Sequence, residues 1–208
     1  MEPNYWKARW NEGRIGFHEG KPNDMLMTHV EALGPKGRVL VPLCGKTEDM
    51  AFLAAHGHEV VGVELAEEAT KAFFAERGLT PEVSQRGSFI TRSASGITLL
   101  QGDFFEITRA DIGPITALYD RAAIVALPPE MRAKYAAHIR ALLDPNTQGL
   151  VITFEYPESM MEGPPFSVPE AELRTYFSTV TPLADRPADT PRFREAGAAR
   201  ERLYQISQ

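Results

Sequence analysis

The stretch Arg38–Glu64, RVLVPLCGKTEDMAFLAAHGHEVVGVE, decides how this chain folds. Its first part, Arg38–Leu43, is an apolar, β-branched run that is typical of a buried strand. A turn at Cys44–Lys46 follows, and Thr47–His56 then carries apolar residues at helical spacing. The next β-branched run, Glu59–Glu64, predicts a second strand. A strand, a tight turn, a helix and another strand indicate one βαβ unit of a parallel sheet.

The same alternation continues along the chain and predicts five further strands and three further helices. The strands are expected at Ile97–Leu100, Ile115–Tyr119, Gly149–Phe154, Thr179–Leu183 and Arg202–Ile206, and the helices at Ala66–Arg77, Pro129–Leu143 and Pro169–Phe177. The last two strands are expected to close the sheet as a hairpin. We therefore predict an α/β, Rossmann-like fold with a mostly parallel seven-stranded sheet and helices on both faces.

Composition limits the class of protein. The 208 residues carry 22 Lys and Arg against 28 Asp and Glu, a formal net charge of −6, with no basic run that could follow nucleic-acid phosphates. Apolar stretches fall far short of the roughly 20 residues that cross a bilayer, and residues 1–13 lack the apolar core of a signal peptide. The single cysteine, Cys44, excludes an intrachain disulfide framework. We predict one domain, residues 1–208, in a cytoplasmic monomer without nucleic-acid or membrane partners.

The turn and the acid at the end of the second strand indicate a ligand site. Gly45 lies in the turn after the first strand, and Glu64 ends the second strand 19 residues later. In a doubly wound sheet, ligands bind at the carboxyl ends of the strands, and an acid about 20 residues beyond the turn can accept hydrogen bonds from both ribose hydroxyls. The alternative is that Gly45 only permits a turn and Glu64 is a solvated strand end.

The turn also narrows the choice of nucleoside. A dinucleotide site needs G-x-G-x-x-G, and a P-loop needs G-x-x-x-x-G-K-[ST]; neither fingerprint is complete around Gly45. The missing glycines disfavour a nicotinamide oxidoreductase. S-adenosylmethionine has no phosphates and fits this turn best.

Six segments resemble the thiopurine S-methyltransferase family, and together they cover nearly the whole chain. They are YWKARWNEGRIGFH (Tyr5–His18), VPLCGK (Val41–Lys46), GVEL (Gly62–Leu65), GDFF (Gly102–Phe105), YDRAA (Tyr119–Ala123) and GPPFSV (Gly163–Val168). The resemblance implies a class I methyltransferase fold, S-adenosylmethionine as methyl donor and S-adenosylhomocysteine as product. The residues themselves predict no metal site.

Carried over residue by residue, the resemblance implies a cofactor-contacting set, a pair beside the adenine, two lid contacts near the sulfonium and an acceptor-facing loop. The cofactor-contacting set is Trp10, Leu43, Glu64 and Arg121, and the pair beside the adenine is Asp103 and Phe104. The lid contacts are Trp6 and Phe17, and the acceptor-facing loop contains Pro164, Pro165 and Phe166. Phe17 is also expected to contact the acceptor. Residues 1–36, which carry both tryptophans, are expected to form an N-terminal lid segment over the cofactor.

Arg121 is the candidate catalytic residue. Its guanidinium can stabilise a thiolate or orient a heterocycle by a forked hydrogen bond, although it cannot act as a base at neutral pH. The alternative is that Arg121 only pairs with Asp120 or holds the carboxylate of the cofactor.

The expected reaction is methyl transfer from S-adenosylmethionine to the sulfur of a small aromatic or heterocyclic thiol. Two alternatives stay open: an acceptor based on selenium or tellurium, as in metalloid detoxification, and a non-catalytic adenosine-ligand sensor. The role of the Arg-rich segment Arg186–Arg202 is not determined by the sequence.

Overall fold

The computed structural model describes residues 3–15, 18–145, 147–189, 193 and 199–207. Its helices are α1 (Pro3–Asn11), α2 (Asp24–His29), α3 (Glu48–Ala55), α4 (Glu67–Ala75), α5 (Arg109–Ile112), α6 (Pro129–Leu142) and α7 (Glu170–Tyr176). Its strands are β1 (Arg38–Pro42), β2 (Glu59–Glu64), β3 (Glu82–Arg86), β4 (Phe89–Ala94), β5 (Ile97–Gln101), β6 (Ala117–Arg121), β7 (Gln148–Glu155), β8 (Thr179–Pro187) and β9 (Arg200–Ser207). In this described part, every helix is too short or too polar to cross a bilayer.

The strands form one sheet in the order β3-β4-β5-β2-β1-β6-β7-β9-β8. The run from β5 to β7 is parallel, and β9 pairs antiparallel with both β7 and β8. The predicted α/β fold and the closing hairpin are therefore confirmed. The chain leaves β1 towards β2 on one side and reaches β6 on the other, so the carboxyl end of β1 is the switch point where ligands bind in such sheets.

The predicted number of strands was wrong: the described sheet has nine strands, not seven. The two additional strands are β3 and β4, an antiparallel hairpin on the β5 edge. All five residues of β3 are exposed, so this strand has none of the apolar alternation that reveals a half-buried strand in a sequence.

The sheet is apolar on both faces, as expected for strands covered by helices. Along β1, Val39 and Val41 pack into one buried cluster and Leu40 into the other, because successive side chains of a strand point to opposite faces. Helix α3 starts as the sequence predicts, with the Thr47 hydroxyl accepting a hydrogen bond from the Asp49 amide at 3.3 Å. This cap fixes the first turn of α3 beside the carboxyl end of β1.

Two helices that the sequence analysis did not assign precede β1. Helix α1 carries Trp6 and Trp10, and α2 begins at the cap Asn23, whose side chain accepts from the Met25 amide. Leu26 is completely buried, so α2 is anchored to the body of the protein by its apolar face.

Candidate active site

The turn after β1 needs an unusual backbone. Leu43 and Gly45 both have positive φ, 47° and 53°. A Cβ on Gly45 would lie 3.0 Å from Cζ2 of Trp10, so the indole packs directly on the glycine backbone. Only glycine combines this conformation with such a close approach at low cost. The turn thereby brings α1 to the carboxyl end of β1.

Glu64 is not a solvated strand end, because only 6% of it is exposed. One carboxylate oxygen accepts from the Gly45 amide at 2.8 Å and the other from the Ala66 amide at 2.7 Å. Burial raises the pKa of Glu64, and the backbone amides of Ala66 and Gly45 oppose that shift. Each oxygen keeps a second lone pair. This buried carboxylate at the turn therefore fits a ligand that presents two hydroxyl groups, as a ribose does.

Arg121 ends β6, and its side chain is 11% exposed. The guanidinium pairs with the carboxylate of Glu19, and its Nη1 lies 3.5 Å from both Asp49 Oδ2 and Thr47 Oγ1. Burial lowers the pKa of Arg121, but Asp49, Tyr119 and Glu19 outweigh it and hold that pKa above its ordinary value. Arg121 is thus a permanent, mostly buried cation beside the turn that follows β1.

Asp49 is a buried partner of the Arg121 guanidinium. Its side chain is completely buried; Oδ1 accepts from the Asn23 amide at 2.7 Å and Oδ2 from the Tyr119 hydroxyl at 2.9 Å. Three parts of the chain therefore meet on one carboxylate: the segment before α2, the first turn of α3 and strand β6. Neither Asp49 nor Glu19 is among the site residues predicted from the sequence. The only signal for Asp49 was an acid in the first turn of a helix, which also has the ordinary role of stabilising that turn.

Among the described residues, Arg121 pairs with Glu19 and Asp49 and not with Asp120. The alternative prediction that Arg121 pairs with Asp120 was therefore wrong. Asp120 is 1% exposed and faces away from the guanidinium's partners: it accepts from the Tyr135 hydroxyl at 2.7 Å and the Ile124 amide at 3.1 Å. Burial raises the pKa of Asp120 to about 6, against these hydrogen bonds. Asp120 therefore fixes the turn after β6 rather than the charge of Arg121.

We expect Asp120 to make folding stability depend on pH. The folded protein keeps this proton up to about pH 6, whereas the unfolded chain releases it near its ordinary pKa of 3.8. The stabilising effect of protonation is therefore complete below about pH 4 and is lost as the pH rises through 6, a change of about 3 kcal/mol. Urea unfolding of the parent and of Asp120→Asn between pH 4 and 7 measures it. A constant stability difference between the two proteins over this range would contradict the assignment.

Asp103 and Phe104 follow β5 and have structural contacts. Asp103 caps a short 3-10 helix and accepts from the Phe105 amide at 2.9 Å. Phe104 is 2% exposed, and its ring packs on those of Tyr135 and His138 at centroid distances of 5.5 and 5.2 Å. The structure thus places Phe104 in the core, and its predicted role beside an adenine stays a prediction.

The predicted acceptor-facing loop lies between two strand ends. The Phe166 amide donates to the Val125 carbonyl at 2.7 Å, in the turn that follows β6, and the Tyr156 hydroxyl donates to the Pro165 carbonyl at 2.5 Å, beyond β7. Pro164, Pro165 and Phe166 therefore form a wall next to the turn that follows β6. A cleft of about 700 Å³ is lined by residues of α6, α7 and the end of β7, together with Ser167, which follows this wall in sequence.

The structure brings together Trp10, Leu43, Gly45, Glu64 and Arg121 around the carboxyl end of β1. Trp6 lies on the same short helix as Trp10, with its ring against Tyr5 at a centroid distance of 5.3 Å. Phe17 lies outside the described residues. The lone Cys44 is buried, and burial raises the pKa of its thiol well above the ordinary value, which is the state of a packing residue.

Parallel strands in the order β5-β2-β1-β6-β7, with a buried acid that ends β2 hydrogen-bonded to the turn after β1, are typical of the class I S-adenosylmethionine-dependent methyltransferase fold. Two solved methyltransferases show the same fold. One, from Burkholderia thailandensis, is a 1,6-didemethyltoxoflavin-N1-methyltransferase with bound S-adenosylhomocysteine; it has a TM-score of 0.68 and 20% identity, over 99% of this chain and 87% of that one. The other is the magnesium protoporphyrin IX methyltransferase of Synechocystis, with a TM-score of 0.65 and 13% identity, over 99% and 97% of the two chains.

The chain belongs to the thiopurine S-methyltransferase family, whose model matches residues 1–208. It is 49% identical to a thiopurine S-methyltransferase of Pseudomonas aeruginosa over 86% of this chain and 83% of the relative. It is 46% identical to that of Pseudomonas putida over 100% of both chains. Family membership establishes an S-adenosylmethionine-dependent methyltransferase, and it argues against both a sensor and a nicotinamide enzyme.

Proposed function

We propose that the methyl acceptor is the sulfur of a small aromatic or heterocyclic thiol. The observation that carries the proposal is the buried cation Arg121 at the carboxyl end of β6, beside the turn that follows β1. A thiolate attacks far better than a thiol, and a fixed cation stabilises it. The names of the Pseudomonas relatives support the same acceptor class.

The side chains around the carboxyl end of β1 have different roles in the proposed reaction. S-adenosylmethionine supplies, when bound, a methyl group activated by a sulfonium. The Glu64 carboxylate accepts from the ribose hydroxyls, while the turn Leu43–Gly45 and Trp10 shape the rest of the pocket. The Arg121 guanidinium holds the acceptor sulfur as a thiolate after its proton has passed to solvent. An electron pair of that sulfur would form the new carbon–sulfur bond while the bond from the methyl carbon to the sulfonium breaks; the electrons of the broken bond would stay on the departing sulfur, which leaves S-adenosylhomocysteine.

Positioning accounts for most of the expected acceleration. The displaced group leaves without charge, so the reaction needs no general acid. Alignment of two reactants in one site can lower a barrier by about 7–11 kcal/mol. The wall Pro164–Phe166, fixed by its hydrogen bonds to Val125 and Tyr156, suits the flat face of an aromatic acceptor.

The N-terminal residues act as a lid in this proposal. Trp10 already lies against Gly45, so closing α1 over the site excludes water from the transfer. We expect hydrogen exchange of the amides in residues 3–15 to slow several-fold when S-adenosylmethionine is added. Amides of the buried strand β1 serve as the internal control, and equal protection of α1 with and without the ligand would rule out the lid.

A direct acceptor screen tests the proposed class. Purified protein and methyl-labelled S-adenosylmethionine are incubated with aromatic and heterocyclic thiols, with their oxygen analogues, and with selenite and tellurite. We expect label in the thiols and little in the oxygen analogues. Label confined to the selenium or tellurium compounds would replace the thiol assignment by metalloid methylation.

A further inference from the structure

Arg121 lies between two carboxylates that differ in burial. Asp49 is completely buried and is held by the Asn23 amide and the Tyr119 hydroxyl as well as by Arg121. Glu19 is 35% exposed and belongs to the connection between α1 and α2, outside the sheet. Asp49 is therefore a fixed partner of the guanidinium, whereas Glu19 can be exchanged.

The two carboxylates also leave the site with excess negative charge. One cation, Arg121, faces Asp49 and Glu19, so an anion that approaches the guanidinium meets a group that is already paired. Two anions that share one site repel each other. The planar guanidinium of Arg121 forms its paired hydrogen bonds with one anion at a time. An incoming anion must therefore take the position of Glu19, because Asp49 cannot leave.

We propose that Glu19 is a built-in anion that occupies Arg121 until an anionic group of a ligand replaces it. The chemistry that it mimics is a carboxylate or thiolate, so the replacing group is either the carboxylate of the methyl donor or the thiolate of the acceptor. Replacement of Glu19 by the acceptor thiolate rests on the proposed function, whereas replacement by the carboxylate of the methyl donor requires only that the methyl donor binds. Glu19 is thus a specificity-determining residue that selects ligands able to compete for the guanidinium.

The direction in which Glu19→Gln changes ligand affinity shows whether Glu19 competes with the ligand for Arg121 or helps to bind the ligand. Glu19→Gln removes the charge with little change in size, so the competing anion is lost and the Arg121 fork stays. The ligand that uses the guanidinium should then bind about 5- to 20-fold more tightly. If Glu19 instead helped to bind the ligand, the same variant would bind it more weakly.

The experiment has two arms and one matched control. The dissociation constant of S-adenosylmethionine is measured calorimetrically, and KM and kcat are measured for para-nitrothiophenol, which is ionised at neutral pH, and for benzyl thiol, which is not. Glu12→Gln is the control, because Glu12 lies on the same segment, is 53% exposed and pairs with Arg14 instead. Glu12→Gln removes the same charge away from Arg121, so the dissociation constant, KM and kcat should each stay within twofold of the parent's.

Tighter S-adenosylmethionine binding by Glu19→Gln identifies the carboxylate as the replacing group. A lower KM for para-nitrothiophenol, with benzyl thiol unchanged, identifies the thiolate. If no thiol is methylated by the parent, the proposed function fails, yet the calorimetric arm still tests Glu19. Unchanged or weaker binding in both arms overturns the proposal.

Discussion

Replacing Arg121 with alanine is expected to lower turnover at saturating S-adenosylmethionine by about 100-fold. The guanidinium favours the thiolate form of the acceptor, and a change of about two units in the pKa of a thiol changes its thiolate fraction about 100-fold. Arg121→Lys keeps the charge but loses the planar fork, so its turnover should lie between those of alanine and the parent. Thiols that are already ionised should recover part of the loss in Arg121→Ala.

The measurement is turnover across thiols of graded acidity with the methyl donor held saturating. Arg109→Ala serves as the matched control, because this arginine pairs with Asp144 ahead of β7, at the edge of the sheet opposite Arg121. If Arg121 only anchors the cofactor, the dissociation constant rises while saturated turnover barely changes. An unchanged saturated rate would exclude the chemical role and leave the methyltransferase assignment intact.

Replacing Glu64 with alanine is expected to weaken S-adenosylmethionine binding about 10- to 100-fold. The carboxylate is the acceptor for the ribose hydroxyls, and the loss of a hydrogen bond to a charged group costs about 1.5–3 kcal/mol. The same substitution leaves the Gly45 and Ala66 amides without their present partner, so the turn after β1 should also lose stability.

Calorimetric titration separates binding from folding when thermal unfolding is followed in parallel. Glu64→Gln is the milder variant, since its amide oxygen still accepts from one backbone amide. Glu59→Ala, at the opposite end of β2, is the control: its carboxylate pairs with Arg38 on the surface, and binding should not change. A folded Glu64→Ala protein that binds the methyl donor as tightly as the parent would disprove the ribose assignment.

The sequence predicts the fold well where burial is periodic. The predicted runs Arg38–Leu43 and Glu59–Glu64 correspond to strands Arg38–Pro42 and Glu59–Glu64, because both faces of the sheet are covered there and the apolar composition of the runs indicates this. Strand β3 could not be predicted, since its five residues are exposed and its pairing depends on β4. Helix α1 was not predicted for a related reason: Trp10 packs on the Gly45 turn, and this contact leaves no helical periodicity in the sequence.

The site could be predicted only in part. Gly45 and Glu64 follow from the spacing of a βαβ unit, and the structure joins them by a 2.8 Å hydrogen bond. Arg121 was found through family resemblance, because a single arginine after a strand has no distinctive local pattern. Asp49 could not be found as the partner of Arg121, since the two residues are 72 positions apart and only the folded sheet brings them together.

The atom of the acceptor that receives the methyl group distinguishes S-methylation from N-methylation. The protein is given S-adenosylmethionine labelled with carbon-13 in the methyl group and one heterocyclic acceptor that offers a thiol, a ring nitrogen and an exocyclic amine. Carbon-13 NMR of the product distinguishes a methyl group on sulfur from one on nitrogen by chemical shift. We predict a single S-methyl product, formed at least 100-fold more slowly by Arg121→Ala. An N-methyl product, or equal rates for both proteins, would contradict the account.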